Sequence, residues 1–200
     1  KKLNMSKKNS NVNLKNSFKN FKDLSHIFQR FKNKLNRLNK KSYVVAVSGG
    51  PDSLALVALS KAYSFAKTTK FDYVLVDHNI RKNSSQEALK VKKLLKKNNV
   101  NLNIILNTKK IYKNIQGEAR NLRYQKLAEY CKRKKINTLL TAHNLEDQVE
   151  TFFIRLSRGS GLRGLSGMIP LSKIYNKINL FRPLLDTKKK DLIKISKIIF

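Results

Sequence analysis

The chain has 200 residues, a length that suits one full-sized domain with a small appendage. It carries 44 Lys and Arg residues against 12 Asp and Glu residues, which gives a formal net charge of +32. An excess this large repels itself unless it meets a polyanion, so the charge favours a nucleic-acid partner. The abundance of Lys, Asn and Ile is also typical of an AT-rich genome, and the charge alone therefore does not decide the function.

Three classes of protein are excluded by what the sequence lacks. The single cysteine, Cys131, rules out an intrachain disulfide, a CxxC redox pair and a cysteine zinc site. No apolar run approaches the roughly 20 residues of a membrane span. Residues 1–13 have no apolar core like that of a secretory signal. We therefore expect an intracellular soluble protein with no membrane partner.

The N-terminal part divides into a tail and a helix. Residues 1–13 are rich in Lys, Asn and Ser and are predicted to be a disordered basic tail. An amphipathic basic helix is predicted over residues 14–40, because one apolar stripe recurs every three or four residues, at Leu14, Phe18, Phe21, Leu24, Phe28, Phe31, Leu35 and Leu38. We expect the stripe to dock on the domain. Membrane-surface binding is the alternative, and RNA contact by the basic side is compatible with docking.

From residue 43 onward short apolar runs alternate with helical patterns. Strands are predicted at 43–47, 73–77, 102–106, 138–142 and 178–182. Helices are predicted at 54–66, at 84–97 with Ser84 or Ser85 as cap, at 117–134, at 145–156, and at 187–199 with Asp186 as cap. This alternation predicts an α/β fold with a doubly wound parallel sheet of about five strands. In such sheets ligands bind at the carboxyl ends of the strands.

The first strand leads into a loop that suits an anion, the hexapeptide Ser48-Gly-Gly-Pro-Asp-Ser53. Gly49 and Gly50 let backbone N–H groups approach a ligand closely, and Pro51 suits a first helical turn, whose free amides attract phosphate. The hexapeptide is neither a Walker loop nor GxGxxG. Asp52 is unusual at a phosphate site, and makes sense if it holds Mg²⁺; a helix cap is its alternative role. The hexapeptide resembles the pyrophosphate-binding loop of the N-type ATP pyrophosphatases.

Polar side chains follow the other predicted strands. His78 comes after the second strand, within a stretch that is otherwise typical of a polar loop. Arg120 and Arg123 lie on one face of a predicted helix, where they are either solvated or form a phosphate clamp. His143 and Asp147 are four residues apart after the fourth strand, and Glu146 and Glu150 form a similar pair. Acidic residues in a first helical turn are also common for dipole reasons alone.

Six motifs taken together resemble one family within the N-type ATP pyrophosphatases. SGGPDS, VDHNIR, EARNLRYQ, AHNLEDQVET, RLSRGSGLRGL and RPLL occur in the order and spacing of the catalytic domain of tRNA(Ile)-lysidine synthetases. The resemblance runs from about Tyr43 to Asp191. It implies a Rossmann-like fold of the adenine nucleotide alpha-hydrolase type, with residues 43–200 as the catalytic domain.

The resemblance also implies an activity and its participants. ATP would adenylate the wobble cytidine of a CAU-anticodon tRNA(Ile), with release of pyrophosphate. Free L-lysine would then displace AMP and give lysidine. The implied ligands are ATP, Mg²⁺, this tRNA and lysine, and the implied location is the cytoplasm or the matrix of an organelle with its own translation.

Site residues follow from the same motifs. The implied ATP contacts are Ser48, Gly49, Gly50, Pro51, Asp52, Ser53 and His78. The implied catalytic residues are Asp52, Asp147, Arg123 and His143, with Asp52 and Asp147 as metal ligands. Arg158, Ser160 and Gly161 would form an RNA-facing loop. The motifs assign no oligomeric state.

Some features depart from the family pattern. Glu146 stands where the family frequently has the first Asp of a pair, and Gln116 where many members have Glu. Family members usually continue into C-terminal tRNA-binding domains, which we expect to be absent here. Two other functions therefore stay open: a tRNA thiolase of the same superfamily, disfavoured by the single cysteine, and an inactive RNA-binding remnant.

Overall fold

A six-stranded sheet with helices on both faces forms the centre of the protein. The computed structural model describes residues 22–80, 83–108, 114–161, 164–175 and 177–200. The strands are β1 (Ser42–Ala46), β2 (Lys70–Asp77), β3 (Leu102–Leu106), β4 (Thr138–Leu140), β5 (Leu171–Ile174) and β6 (Ile178–Phe181). The helices are α1 (Lys22–Leu38), α2 (Pro51–Ala66), α3 (Ser84–Lys97), α4 (Ile115–Arg133), α5 (Leu145–Ser157) and α6 (Lys189–Ile199).

The strand order explains where a ligand can bind. The order is β3-β2-β1-β4-β6-β5, and all neighbouring pairs are parallel except β5 with β6. From β1 the chain winds outward through β2 and β3, then crosses back to β4 on the other side of β1. A crevice opens at the carboxyl ends of strands where the winding direction reverses in this way. The predicted doubly wound sheet is confirmed, and the crevice lies between β1 and β4.

Two apolar clusters cover the two faces of the sheet. One contains most of α2, whose residues from Leu54 to Leu59 are all nearly inaccessible, together with side chains of α1 and α6. The other lies under α4 and contains Leu127, Tyr130 and Cys131. Parallel strands buried on both faces carry continuous apolar runs, and this explains the uninterrupted pattern that β1 and β2 show in the sequence.

Helix α1 docks with its apolar stripe inward. Leu24, Phe31 and Leu35 are at most 1% exposed, and Ile27 completes the buried side. The docking prediction is therefore confirmed for the described part of the stripe. Residues 1–21, which include the predicted tail and the start of the predicted helix, lie outside the described residues. In the part of the chain that the structure describes, no helix is long and apolar enough to cross a membrane.

Three local predictions were incomplete or wrong. Strand β5 was not predicted; it is a short antiparallel edge strand whose residues alternate between exposed and half-buried. Helix α3 begins after Asn83, not after a serine cap, and the Ser85 hydroxyl donates to Asp77 at 2.6 Å. Asp186 does not cap α6, which begins after Lys188. The Asp186 carboxylate instead pairs with cations of α1, as described below.

Candidate active site

A cavity of about 330 Å³ occupies the crevice between the ends of β1 and β4. Its lining joins residues from three of the motifs, because the loop after β1, the first turns of α2 and α5, and one face of α4 all converge there. The predicted site residues among its lining are Ser48, Asp52, Ser53, Arg123, His143 and Asp147. The structure thus brings together all four predicted catalytic residues, while their roles stay predictions.

The loop after β1 is organised around one hydroxyl group. Ser53 Oγ accepts hydrogen bonds from the N–H groups of Ser48 at 3.2 Å and Gly49 at 3.1 Å, and it donates to the Gly50 carbonyl at 2.9 Å. A phosphate oxygen would compete with this hydroxyl for the same two amides. Gly49 has a φ of +87°, and an added Cβ would approach Val91 Cγ2 to 2.7 Å, so the turn requires glycine.

Further donors lie in the first turn of α2. Pro51 is its first residue and has no N–H, so the amides of Asp52 and Ser53 are the first ones without an intrahelical acceptor. They sit at the positive end of the helix dipole, which attracts anions. The loop and the helix end together place amide donors where the hexapeptide predicts a phosphate site.

The Asp52 carboxylate lines the cavity and is only partly satisfied. Its Oδ1 atom is buried and has no hydrogen-bond partner in the described structure. Burial raises the pKa of Asp52, the charge of Lys189 opposes that rise, and the negative charges of Asp147 and Glu146 add to it. A buried carboxylate oxygen without a partner is costly, and a bound cation would relieve that cost.

Asp147 is held by reciprocal hydrogen bonds at the start of α5. The Asn144 N–H donates to Asp147 Oδ2 at 2.9 Å, and the Asp147 N–H donates to Asn144 Oδ1 at 3.0 Å. This capping box fixes the carboxylate on the wall of the cavity. His143 precedes the helix and is not on its first turn, yet it lines the same cavity.

Glu146 points to a different part of the molecule from Asp147. Its Oε2 accepts the Lys189 N–H at 2.8 Å, and the neighbouring Leu145 N–H donates to the Thr187 carbonyl at 3.0 Å. Glu146 therefore satisfies an otherwise free amide at the start of α6 and joins the first turns of α5 and α6. Asp147 lines the cavity, whereas Glu146 is not among its lining residues.

His143 is neutral at physiological pH. Burial lowers its pKa to about 4, and the positive charges of Arg182 and Arg120 act in the same direction. Its Nδ1 atom lies 2.9 Å from the Thr141 hydroxyl. An uncharged imidazole can accept or share a proton with a reacting group without adding another positive charge to the cavity.

A second cavity of about 350 Å³ adjoins the first, and both are lined by Val47, Ser48 and Arg123. Its walls include the apolar side chains of Leu75, Ile80 and Val91. His78 lies here and not in the first cavity. An apolar chamber beside a phosphate site suits the base of a nucleotide.

The donor set fits magnesium. Among the described residues no cluster of three His, Cys, Asp or Glu side chains could hold a metal ion by itself. Mg²⁺ is usually bound by one or two carboxylates together with substrate phosphates and water. Asp52 and Asp147 line one cavity beside the predicted phosphate site, and so match that requirement.

The predicted RNA-facing loop does not line either cavity within the described part of the chain. Arg158 follows the last turn of α5, Gly159 has a φ of +69°, and the Ser160 N–H donates to the Arg155 carbonyl at 3.1 Å. Gly161 accepts from the Gly164 N–H at 2.7 Å, while residues 162–163 lie outside the described residues. The RNA-facing role of this loop remains a prediction.

Thr141 was missed as a residue of the site, and Arg182 as a residue whose charge acts on it. Arg182, in the RPLL motif, donates from Nη1 to the Ile169 carbonyl at 2.9 Å and to Ser172 Oγ at 3.0 Å, and its charge acts on His143. Thr141 contacts His143 directly. The motif containing Arg182 marked its position in the sequence, but its proximity to His143 depends on the pairing of β6 with β4.

This arrangement defines a nucleotide-binding α/β domain with a phosphate loop and two acidic side chains. The family model for the PP-loop domain matches residues 23–198, and the chain belongs to this ATP-using family. Its curated relatives include tRNA(Ile)-lysidine synthases. The one from Wolbachia pipientis wMel is 39% identical over 88% of this chain and 41% of its own length. The one from Zymomonas mobilis is 39% identical over 76% of this chain and 46% of its own length. The chain thus spans less than half the length of these relatives.

Solved structures show the same fold at low sequence identity. The U34-tRNA thiolase NcsA from Methanococcus maripaludis, with its [4Fe-4S] cluster, has a TM-score of 0.74 at 17% identity, over 88% of this chain and 64% of that one. The NH3-dependent NAD synthetase from Campylobacter jejuni has a TM-score of 0.51 at 16% identity, over 86% of this chain and 70% of that one. At such identities the likeness establishes the fold alone.

Proposed function

We propose that this domain catalyses ATP-dependent formation of lysidine on the wobble cytidine of a CAU-anticodon tRNA(Ile). In the first step the carbonyl oxygen of cytidine attacks the α-phosphorus of ATP and pyrophosphate leaves. In the second step the ε-amine of free lysine attacks the activated ring carbon, a proton is lost from the amine, and AMP leaves with the former carbonyl oxygen. The product is cytidine joined to lysine with loss of that oxygen.

One observation carries the proposal: the phosphate loop, two carboxylates, Arg123 and neutral His143 all border one cavity. Nucleotidyl transfer needs the leaving pyrophosphate to be stabilised as its charge grows, and preorganised donors supply that stabilisation. The curated relatives, named tRNA(Ile)-lysidine synthases, support the choice of tRNA and of lysine as acceptors.

Each residue has a role that follows from its position. The amides of the loop and of the first turn of α2 bind the phosphates, and the second cavity, with His78, receives the adenosine. Arg123 lies between the two cavities and contacts the α-phosphate or the adenylated base. Asp52 and Asp147 would hold Mg²⁺, which when bound neutralises charge on the phosphates. His143 offers a ring nitrogen for the proton of the attacking amine.

The reaction would take place where tRNA is modified, in the cytoplasm or in the matrix of an organelle with its own translation. The net charge of +32 suits an RNA substrate. Of the alternatives, a thiolase fits less well, because Cys131 is fully buried and burial raises the pKa of its thiol to about 12. An inactive remnant fits less well because the predicted catalytic residues still share one cavity.

The test is mass spectrometry of nucleosides after incubation of the protein with a CAU-anticodon tRNA(Ile) transcript, ATP and lysine. We expect cytidine to gain the mass of lysine less one water, with AMP and pyrophosphate as the other products. A transcript with uridine at the wobble position is the matched control and should remain unmodified. In a parallel incubation with sulfide in place of lysine, a gain of sulfur would indicate a thiolase, and absence of product and pyrophosphate in both incubations would indicate a remnant.

A further inference from the structure

A third cavity, outside the candidate active site, opens between α1 and the end of β6. It measures about 490 Å³, and we call it the α1 groove; its principal lining residues are Lys34, Arg37, Gln148, Phe181, Arg182 and Leu185. None of its lining residues borders either cavity of the candidate active site.

The α1 groove combines positive charge with an apolar floor. Asp186, its one acidic lining residue, accepts from Arg30 and Lys34, each at 2.5 Å. Burial by itself would raise the pKa of Asp186, but the hydrogen bonds from Lys34 and Arg30 outweigh it and lower the pKa, so the carboxylate stays ionised and paired.

Arg37 and Arg182 add positive charge beyond these pairs. Arg37 lies exposed in the last turn of α1 and forms no ion pair within the described residues. Phe181 and Leu185, which are 5% and 6% exposed, supply the apolar part of the groove's lining and are called its floor here. Positive side chains above an apolar floor suit a nucleotide, with its phosphate on the cations and its base on the floor.

Gln148 of α5 forms the wall of the α1 groove toward the active site. Gln148 donates from Nε2 to the Met168 carbonyl at 2.8 Å and accepts the Met168 N–H at 2.5 Å. These two bonds hold the segment before β5 against α5. The preceding residue, Asp147, lines the candidate active site. Consecutive Cα atoms are about 3.8 Å apart, so the first turn of α5 is the partition between the two cavities.

Arg182 is a second residue that shows the α1 groove to lie close to the active-site cavity. It lines the α1 groove, and its positive charge also contributes to the lowered pKa of His143 in the active-site cavity. A flexible strand whose reacting base enters the active site can therefore reach the groove with a neighbouring nucleotide.

We propose that the α1 groove binds a nucleotide adjoining the reacting base in single-stranded RNA, with Arg37 contacting its phosphate. This inference rests on the proposed function, because it takes the wobble cytidine as the base in the active site. The apolar stripe of α1 is buried against the domain. The proposed contact with RNA therefore belongs to Arg37, which is exposed.

The first experiment compares Arg37→Gln with Lys40→Gln. Lys40 is an exposed residue just beyond α1 that does not line the groove, so both variants remove one positive charge from the same region. We expect Arg37→Gln to weaken binding of a CAU anticodon stem-loop by about tenfold at low salt. The slope of log affinity against log salt should decrease by about 0.7, while ATP affinity stays unchanged. Lys40→Gln should stay close to the wild-type protein, and equal effects of the two variants would overturn the proposal.

The second experiment locates the RNA directly. A stem-loop with 4-thiouridine on the 5′ side of the wobble cytidine, and another with it on the 3′ side, are irradiated in complex with the wild-type protein. We expect at least one to crosslink to a peptide containing Arg37–Leu38 or Phe181–Leu185. Crosslinks confined to other peptides would overturn the proposal.

These outcomes separate the inference from the proposed function. If the wild-type protein forms lysidine and Arg37→Gln is indistinguishable from Lys40→Gln, the proposed RNA contact in the groove is refuted and the proposed function is supported. If the wild-type protein binds the stem-loop through the groove but forms no lysidine, the proposed function is refuted and RNA binding by the groove is supported.

Discussion

Helices α2 and α5 start at the same cavity and differ in almost everything that stabilises them. Each presents one acidic residue of its first turn to the cavity, Asp52 from α2 and Asp147 from α5. Ten residues of α2 are buried, whereas α5 has none. Helix α2 is therefore fixed by the core along its length, and α5 is fixed by polar contacts at its ends.

The difference shows how one site can combine a rigid wall with a weakly held one. At its start α5 has the capping box of Asn144 and Asp147 and the contact of Glu146 with α6. Near its end Arg155 donates to the carbonyls of Gly164 and Ser166. Between these contacts large apolar side chains remain exposed, among them Phe153 at 60%. Changes in α5 should therefore affect the site more than the stability of the fold, and changes in α2 can affect both.

The largest effect on the reaction is expected from Asp52→Asn. The substitution removes a charge that would bind Mg²⁺ while leaving the buried side of α2 untouched, so pyrophosphate release should fall by at least about 100-fold. Asp191→Asn is the matched control, because it also removes a carboxylate from the first turn of a helix. Asp191 lies in α6 and does not line the cavity. Far-ultraviolet circular dichroism should show both variants folded. Pyrophosphate release at the wild-type rate by a folded Asp52→Asn protein would refute the metal assignment.

The comparison predicts unequal costs for the same substitution in the two helices. Leu59 is fully buried in α2, and Leu156 is 48% exposed in α5. Leu59→Ala should lower the free energy of unfolding by about 2–5 kcal/mol. Leu156→Ala should change it by no more than about 0.5 kcal/mol. Chemical denaturation measures both, and similar losses would mean that α5 is packed as firmly as α2.

Two adjacent carboxylates of α5 should separate catalysis from stability. Asp147→Asn should slow pyrophosphate release by about 10- to 100-fold, because it alters a wall of the cavity. Glu146→Gln should slow it by less than about 10-fold and cost about 1 kcal/mol of stability or less, because it weakens only the contact with the start of α6. Equal rates for the two variants would show that Asp147 is not the ligand.

The smallest effect concerns pH. The pKa of His143 is lowered from 6.5 to about 4 in the folded protein, so folding favours the neutral imidazole. The resulting stabilisation is complete above about pH 6.5 and is lost as the pH falls toward 4, because only the unfolded chain takes up the proton in that interval. His143→Gln should therefore lose less stability than the wild-type protein between pH 6.5 and 4. A His143→Gln curve parallel to the wild-type curve would contradict the pKa assignment.

Most of the fold could be predicted because each strand is a short run of residues with a strong apolar pattern. The runs that became β1 to β4 and β6 are apolar and bounded by polar turns, and helix α3 was predicted with its observed bounds. Strand β5 could not be predicted in this way, since its residues alternate between exposed and half-buried and it pairs only at the sheet edge.

The site was predictable in its residues but not in its internal contacts. Asp52 and Asp147 belong to recognisable motifs, and the parallel sheet brings them to one edge. The Ser53 hydroxyl is the hydrogen-bond centre of its loop, and this depends on backbone geometry that the sequence does not show. Glu146 contacts a residue 43 positions away, and Asp186 pairs with a cation 156 positions before it. Such contacts arise only once the helices are packed.

The most direct test of the account is whether one ion is shared by the rigid helix and the weakly held one. Electron paramagnetic resonance can measure Mn²⁺ binding to the wild-type protein, Asp52→Asn, Asp147→Asn and the double variant, each with a non-hydrolysable ATP analogue. If both carboxylates hold the same ion, each single variant should bind Mn²⁺ about tenfold or more weakly, and the double variant should bind little more weakly than the poorer single variant. Wild-type affinity in Asp147→Asn, or losses that multiply in the double variant, would contradict a site built jointly by α2 and α5.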